Sequence, residues 1–236
     1  MAGQPVRVEL RRFGVGQAPV VVIDGFSGNP ERVCNIAEAL APFPAQHASF
    51  YPGVRRNIVP ADADANHYVT ESCQRAAQFI AGAFDIDSFE LVEASFSMVT
   101  TLPSNLLPVQ RAPHFDSTDP NHIALLHFLR VPEGSGTAFF RHRITEIEQV
   151  TEANVARFVA VAAAQAAGLR PDTGYIQGSD EHFEQIGLVE AVADRMLIYQ
   201  GSLLHSGLIP PDMPFTSDPR AGRLTANIFI RGHGRK

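Results

Sequence analysis

The sequence predicts a mainly β protein with flanking helices. Short apolar or alternating runs, closed by turn residues, recur at 20–23, 123–129, 137–143, 196–199 and 224–230, as strands do. Helical spacing holds at only three places, 30–41, 66–84 and 152–167. The 236 residues are 45% hydrophobic and 19% charged, which is enough for one sizeable core and argues against wholesale disorder. We read 1–236 as a single domain. In it, 1–106 forms N-terminal helices and strands that support a strand-rich core at 107–232, and 141–192 is a helical insertion in that core.

The elements follow in order. Val20-Val21-Val22-Ile23 reads as a buried strand, ended at Asp24-Gly25. Asn29 offers a helix N-cap and Pro30 suits the first helical position, with the helix running to about Ala41. Pro42, Pro44 and Pro52 mark a loop, and Tyr51-Pro52-Gly53-Val54-Arg55 reads as its exposed end, with a segment that reaches a site as the alternative. The 66–84 helix places Tyr68, Val69, Cys73, Ala76, Ala77, Ile80 and Phe84 on one side. Residues 89–101 alternate in part. From 107 the pattern is strand after strand, with Gly134-Ser135-Gly136 turning 123–129 into 137–143 as a hairpin-like pair. Thr145-Glu146-Ile147-Glu148 fits a capping box ahead of the 152–167 helix, which Gly168 and Pro171 end. Residues 172–187 read as irregular. Gly201 turns the strand at 196–199, and 224–230 closes the pattern.

Composition excludes several classes. The net charge of −6 lacks the basic footprint of a nucleic-acid binder. Residues 1–10 carry Arg7 and Glu9 and no apolar segment, so they do not read as a signal peptide. The apolar-rich run 155–169 is too short to span a bilayer, so no membrane partner is expected. Cys34 and Cys73 are the only cysteines and read as reduced packing residues in a cytoplasmic protein. Oligomeric state is left open, a homodimer included.

The chemistry concentrates in His114-Phe115-Asp116, His205 and Arg223-Leu224-Thr225. A His-x-Asp pair on a strand presents both side chains on one face. A second His from elsewhere completes two nitrogens and one carboxylate. That set suits non-haem Fe(II), since it leaves positions for a co-substrate and O2. A following Arg can hold a carboxylate by paired charge-assisted hydrogen bonds. By itself a His-x-Asp is common, and the plain alternative is a rim His bonded to its neighbour.

The surrounding order adds to this. His114-Phe115-Asp116 precedes the apolar run Ile123-Ala124-Leu125-Leu126-His127-Phe128-Leu129 and the turn Gly134-Ser135-Gly136-Thr137. Asp194-Arg195-Met196-Leu197-Ile198-Tyr199 then leads into His205-Ser206-Gly207, and Arg223-Leu224-Thr225-Ala226-Asn227 follows. This order resembles the double-stranded β-helix core of the 2-oxoglutarate/Fe(II) oxygenases, in their prolyl-hydroxylase-like branch, over roughly 107–140 and 193–232. The chain as a whole is most similar to a bacterial family of unassigned function related to them.

The resemblance implies a jelly-roll, cupin-like core and a dioxygenase that uses Fe(II) and 2-oxoglutarate. His114, Asp116 and His205 would bind the metal. Arg223 would clamp the far carboxylate of the co-substrate, and Thr225, on the same face, would add a hydroxyl. Asp116 keeps the carboxylate that halogenating relatives lack, which favours hydroxylation of a small molecule or peptide side chain. Two departures stand out. The stretch from His205 to Arg223 is long and carries Pro210, Pro211, Pro214 and Pro219, and Phe128 falls where many relatives have a Tyr that contacts the co-substrate.

Other residues have plainer readings. Gln110 and Arg111 flank the His-x-Asp and are candidates for the substrate mouth, against a solvated strand edge. His127 points away from Phe128 and reads as structural. His47, His67, His122, His142, His182 and His233 read as surface or capping residues. The 152–167 helix reads as packed on the barrel, with a lid or dimer contact as alternatives. Against the oxygenase stand a non-catalytic jelly-roll binding or scaffold protein and a zinc hydrolase with the same ligands.

Overall fold

A computed structural model of the chain describes residues 5–45, 51–168 and 174–234. His47, Pro171, Asp172 and Thr173, named above, lie outside the described residues. Two antiparallel sheets form the body. The larger has β1 (Arg7–Phe13), β2 (Ala18–Asp24), β3 (Gly53–Asn57), β4 (Ile86–Val99), β5 (His122–Arg130), β8 (Arg195–Gln200) and β10 (Leu224–Gly234), in the order β1-β2-β8-β5-β10-β4-β3. The smaller has β6 (Gly136–His142), β7 (Phe183–Glu190) and β9 (His205–Leu208), in the order β7-β6-β9. Helices α1 (Pro30–Ala39), α2 (Ala63–Phe84) and α3 (Val155–Gly168) flank them.

The larger sheet is covered on both faces around β2, β5 and β8, so these strands are largely apolar instead of alternating. Val21, Ile23, Ile123, Leu125, Met196 and Ile198 face α1 and α2, together with Phe96 and Met98 of β4. Val20, Val22, Ala124, Phe128 and Leu197 face the smaller sheet and meet Phe139 and Leu203. α1 starts as its sequence predicts, with the Asn29 side chain accepting from the Arg32 N–H at 3.1 Å. α2 lays Tyr68, Val69, Ser72, Ala76 and Ile80 on the sheet.

Several expectations are corrected. β5 and β6 do not pair. β6 bonds β7 and β9, because the Gly134 turn carries the chain from one sheet to the other. Residues 53–57 are not loop but an edge strand on β4. The 172–187 stretch contains the start of β7, whose pattern is broken at Gly187; a Cβ there would lie 2.4 Å from the Phe13 ring. Thr145–Glu148 starts no helix. Thr145 Oγ1 pairs with His142 Nδ1 at 2.8 Å, and Glu148 accepts from Val15 N, Gly16 N and Arg141. β1 was not foreseen. The two cysteines are unpaired, and among the described residues no helix is long and apolar enough to cross a membrane.

A buried polar hub ties the helical face to the sheet. Asp194 adopts φ 65°, and its carboxylate accepts from Ser27 N (2.8 Å), Ser27 Oγ (2.5 Å) and Gly28 N (2.9 Å). It also accepts from His127 Nε2 at 3.0 Å, while Tyr68 Oη bonds His127 Nδ1 at 2.8 Å. Burial lowers the His127 pKa against the pull of Asp194, so a neutral ring donates to Asp194 and accepts from Tyr68. His127 is structural. The adjacent Arg195 grips Asp24 through two bonds of 2.5 and 3.1 Å.

Replacing Asp194 orphans several buried donors at once. Asp194→Ala should cost about 3 kcal/mol in urea unfolding, with part of the loss from a left-handed residue that Ala tolerates poorly. Asp194→Asn, which keeps an acceptor and suits that conformation, should lose about half as much.

Candidate metal centre

The two halves of the centre meet through backbone bonds. His114 N donates to His205 O at 2.9 Å, His205 N donates to His114 O at 2.9 Å, and Asp116 N donates to Gly201 O at 2.7 Å. The expected regular strand at His114 is therefore a single bridge within an extended segment. Extended backbone still projects His114 and Asp116 the same way.

One donor atom each from His114, Asp116 and His205 lies within 4.8 Å of the others. His114 Nε2 is 3.8 Å from one Asp116 oxygen, and His205 Nε2 is 3.6 Å from the other. Both separations are too long for hydrogen bonds. His205 Nδ1 lies 2.7 Å from the Leu203 carbonyl. A carbonyl only accepts, so Nδ1 carries a proton there and Nε2 is the ring nitrogen turned to the carboxylate. Burial, then the neighbouring His205, holds the His114 pKa well below the ordinary imidazole value, against the pull of Asp116, although half of the side chain is open to the cavity. Two imidazole nitrogens and a carboxylate thus converge on one point, a donor set that could hold a cation. Tyr199 packs edge-on against His205 at 4.9 Å. Gly201 makes room for the cluster: a Cβ there would lie 2.6 Å from His122 Cδ2 and 3.2 Å from Asp116 Cβ.

The cluster opens into a cavity of about 650 Å³ between the sheets. Arg223, Thr225, Asn227 and Phe229 line it with period two, as alternation along β10 requires. Arg223 is only 5% exposed. Its Nε donates to Ser135 Oγ at 2.9 Å and its guanidinium lies 5.7 Å from the Phe128 ring. Among the described residues no carboxylate pairs with it. Burial draws its pKa down, and Tyr51 and Tyr175 oppose this. The long stretch after His205 spans the end of β9 and a loop that returns to β10, so its length does not separate Arg223 from the triad.

Gln110 lines the cavity, and its Oε1 accepts from Leu107 N at 2.9 Å. Arg111 is no solvated strand edge. It is buried, and Nε and Nη2 donate to Leu106 O at 3.3 and 2.8 Å. His142 is likewise buried rather than on the surface, and bonds Gln165 of α3 at 2.6 Å. Tyr51 and Arg55 line the cavity, so the alternative reading of 51–55 as reaching a site fits better than exposed loop, and Tyr175 joins them although the sequence does not mark it. They come from an edge strand and loops with no periodic signal. On α3, Phe158, Val159, Ala162 and Ala163 form one wall.

A family model described as a family of unknown function, DUF6445, matches residues 4–230. The chain belongs to this family. No curated protein matches the DUF6445 chain. Solved structures do. The non-haem α-ketoglutarate-dependent epimerase SnoN from nogalamycin biosynthesis aligns over 90% of this chain and 78% of its own, with TM-score 0.56 and 13% identity. HygX from Streptomyces hygroscopicus, with nickel and 2-oxoglutarate bound, aligns over 91% and 83%, with TM-score 0.51 and 15% identity. The carbocyclase SnoK, also from nogalamycin biosynthesis, aligns over 90% and 79%, with TM-score 0.52 and 13% identity. This DUF6445 chain has the double-stranded β-helix fold of the 2-oxoglutarate/Fe(II) oxygenases.

The packing around Gly201 predicts a graded loss of metal. In anaerobic calorimetry with Fe(II), Gly201→Ala, which displaces Asp116 or its support, should weaken binding about tenfold to 100-fold. His205→Ala, which removes a donor, should weaken it further.

Proposed function

We propose that this protein is a 2-oxoglutarate-dependent Fe(II) oxygenase that hydroxylates a small molecule. The observation that carries the reading is Arg223, a buried guanidinium with no carboxylate partner among the described residues, in the same cavity as the His114, Asp116 and His205 donors. A buried charge left unpaired is costly, and a ligand carboxylate relieves that cost.

His114, Asp116 and His205 would hold Fe(II) through two neutral nitrogens and one anionic oxygen, a set that leaves coordination positions for other ligands. When bound, the ferrous ion and 2-oxoglutarate use O2 to oxidise an unactivated C–H bond, releasing succinate and CO2. The rest is positioning by the chain. Arg223 would take the distal carboxylate through the guanidinium nitrogens that do not bond Ser135, with Ser135 and the Phe128 ring fixing its plane. Thr225 would supply a hydroxyl beside it. The apolar walls exclude water from the reacting end. The nickel and 2-oxoglutarate in the HygX structure support this cofactor pair. The unpaired Cys34 and Cys73 fit a cytoplasmic setting. A scaffold without turnover would gain nothing from a buried, ligand-less Arg223, which favours the enzyme.

Anaerobic addition of Fe(II) and 2-oxoglutarate should give a weak visible charge-transfer band that is lost in His114→Ala, and admission of O2 should convert 2-oxoglutarate to succinate. No band and no succinate with the wild-type protein would sink the reading. Arg223→Gln should raise the 2-oxoglutarate dissociation constant about 30- to 100-fold, as expected for losing a buried charged pair worth about 2–3 kcal/mol, with little change in Fe(II) affinity.

A further inference from the structure

The cavity has a second cationic pole that the chemistry above does not use. Arg55 sits on the edge strand β3, where the register runs Arg55–Ser97–Thr225 across β3, β4 and β10. It therefore shares the cavity face with Thr225, two strands away, or roughly 10 Å at the usual strand spacing. Its guanidinium lies 5.0 Å over the Tyr51 ring, and Nη1 is 3.6 Å from Glu93 in a partly exposed pair. Such a pair contributes little net energy. Alongside these contacts Arg55 lines the cavity wall.

The charges around the cavity are few. Among the described lining residues the one acid is Asp116 and the cations are Arg55 and Arg223. Asp116 belongs to the metal cluster, which leaves no carboxylate to greet an amine. From α3, Phe158, Val159, Ala162 and Ala163 line the same cavity, and Val109, also lining it, is 44% exposed. The cavity of about 650 Å³ lies within the usual ~300–1,000 Å³ range for drug-sized ligands, so room remains beside a five-carbon diacid.

We propose that the primary substrate is a small, largely apolar molecule with one anionic group, which Arg55 binds while the apolar body lies along α3. The inference rests on the oxygenase reading only in placing the reacting C–H bond at the metal. Among the described lining residues a cationic substrate meets two arginines and no acid outside the metal cluster, and a sugar meets an apolar wall.

The test uses fluorescence titration of the protein loaded with Ni(II) and 2-oxoglutarate. The probes are 1-anilinonaphthalene-8-sulfonate and its uncharged counterpart N-phenyl-1-naphthylamine. The wild-type protein should bind the anionic probe at least tenfold more tightly than the neutral one. Arg55→Gln and Arg55→Met should each abolish that preference, and Arg55→Lys should retain part of it. Arg56→Gln should leave it unchanged, because Arg56 pairs with Asp62 and does not line the cavity. Val159→Asp should weaken both probes. Equal affinities in the wild-type protein, a preference that survives both Arg55→Gln and Arg55→Met, or one lost only in Arg223→Gln would overturn the proposal. Loading of Ni(II) and 2-oxoglutarate is measured first by calorimetry. Failure to load counts against the oxygenase reading, whereas the Arg55-dependence of the probes on the unloaded chain still decides this one.

Discussion

Two backbone hydrogen bonds, exchanged between His114 and His205, join the two halves of the site, and the sheets around them make that junction possible. Closing a chain segment of roughly 90 residues costs about 4 kcal/mol plus a constant, and two such bonds contribute only about 1–3 kcal/mol net. The remainder comes from the ladders on either side. β5 pairs with β8 from Ile123–Gln200 to Phe128–Arg195, which delivers residues 114–116 and 201–205 to the same place. β6 pairs with β9 and ends opposite His205 at Phe139. The donor geometry is therefore only as firm as the sheets that deliver it. That explains why Gly201, with no reactive group of its own, constrains the cluster through space.

The strands that could be read from sequence are those covered on both faces. Val20–Ile23 and Met196–Tyr199 are uniformly apolar because each side meets a different layer. β1 escaped because it lies at an edge and leaves Val8 and Leu10 nearly half exposed. β7 escaped because Gly187 interrupts its pattern where Phe13 needs the space. The expected β5–β6 hairpin failed for a different reason. A Gly-rich turn shows that the chain reverses, but it does not show which sheet receives it. Residue type and order suggested the donor triad and Arg223. The walls were illegible, because Tyr51, Arg55 and Tyr175 come together only through long-range packing.

α3 joins these levels. Its Phe158 packs edge-on against Phe115 at 6.0 Å and against His142 at 5.5 Å, and its Gln165 bonds His142. Phe115 is the residue between two of the proposed ligands. The helix that walls the cavity is thus in van der Waals contact with the segment that positions the donors, and it is anchored to β6 from behind. Apolar packing rather than charge sets the distance between the substrate wall and the metal end. Changes in side-chain volume on α3 bear on both.

The charges of the site argue for its ligands as a set. Asp116 and Arg223 carry opposite charges. A divalent cation alone would leave two positive charges in a cavity whose surroundings screen poorly, and 2-oxoglutarate alone would leave two negative ones. Bound together, they leave the inner cavity electrically neutral. Cation and diacid should therefore favour each other's binding, with Arg223 neutralising one end of the diacid and the metal the other. Arg55 adds a positive charge that Glu93 partly offsets. A monoanionic substrate bound there would gain from that charge, while a neutral one of the same shape would keep only its contact with α3.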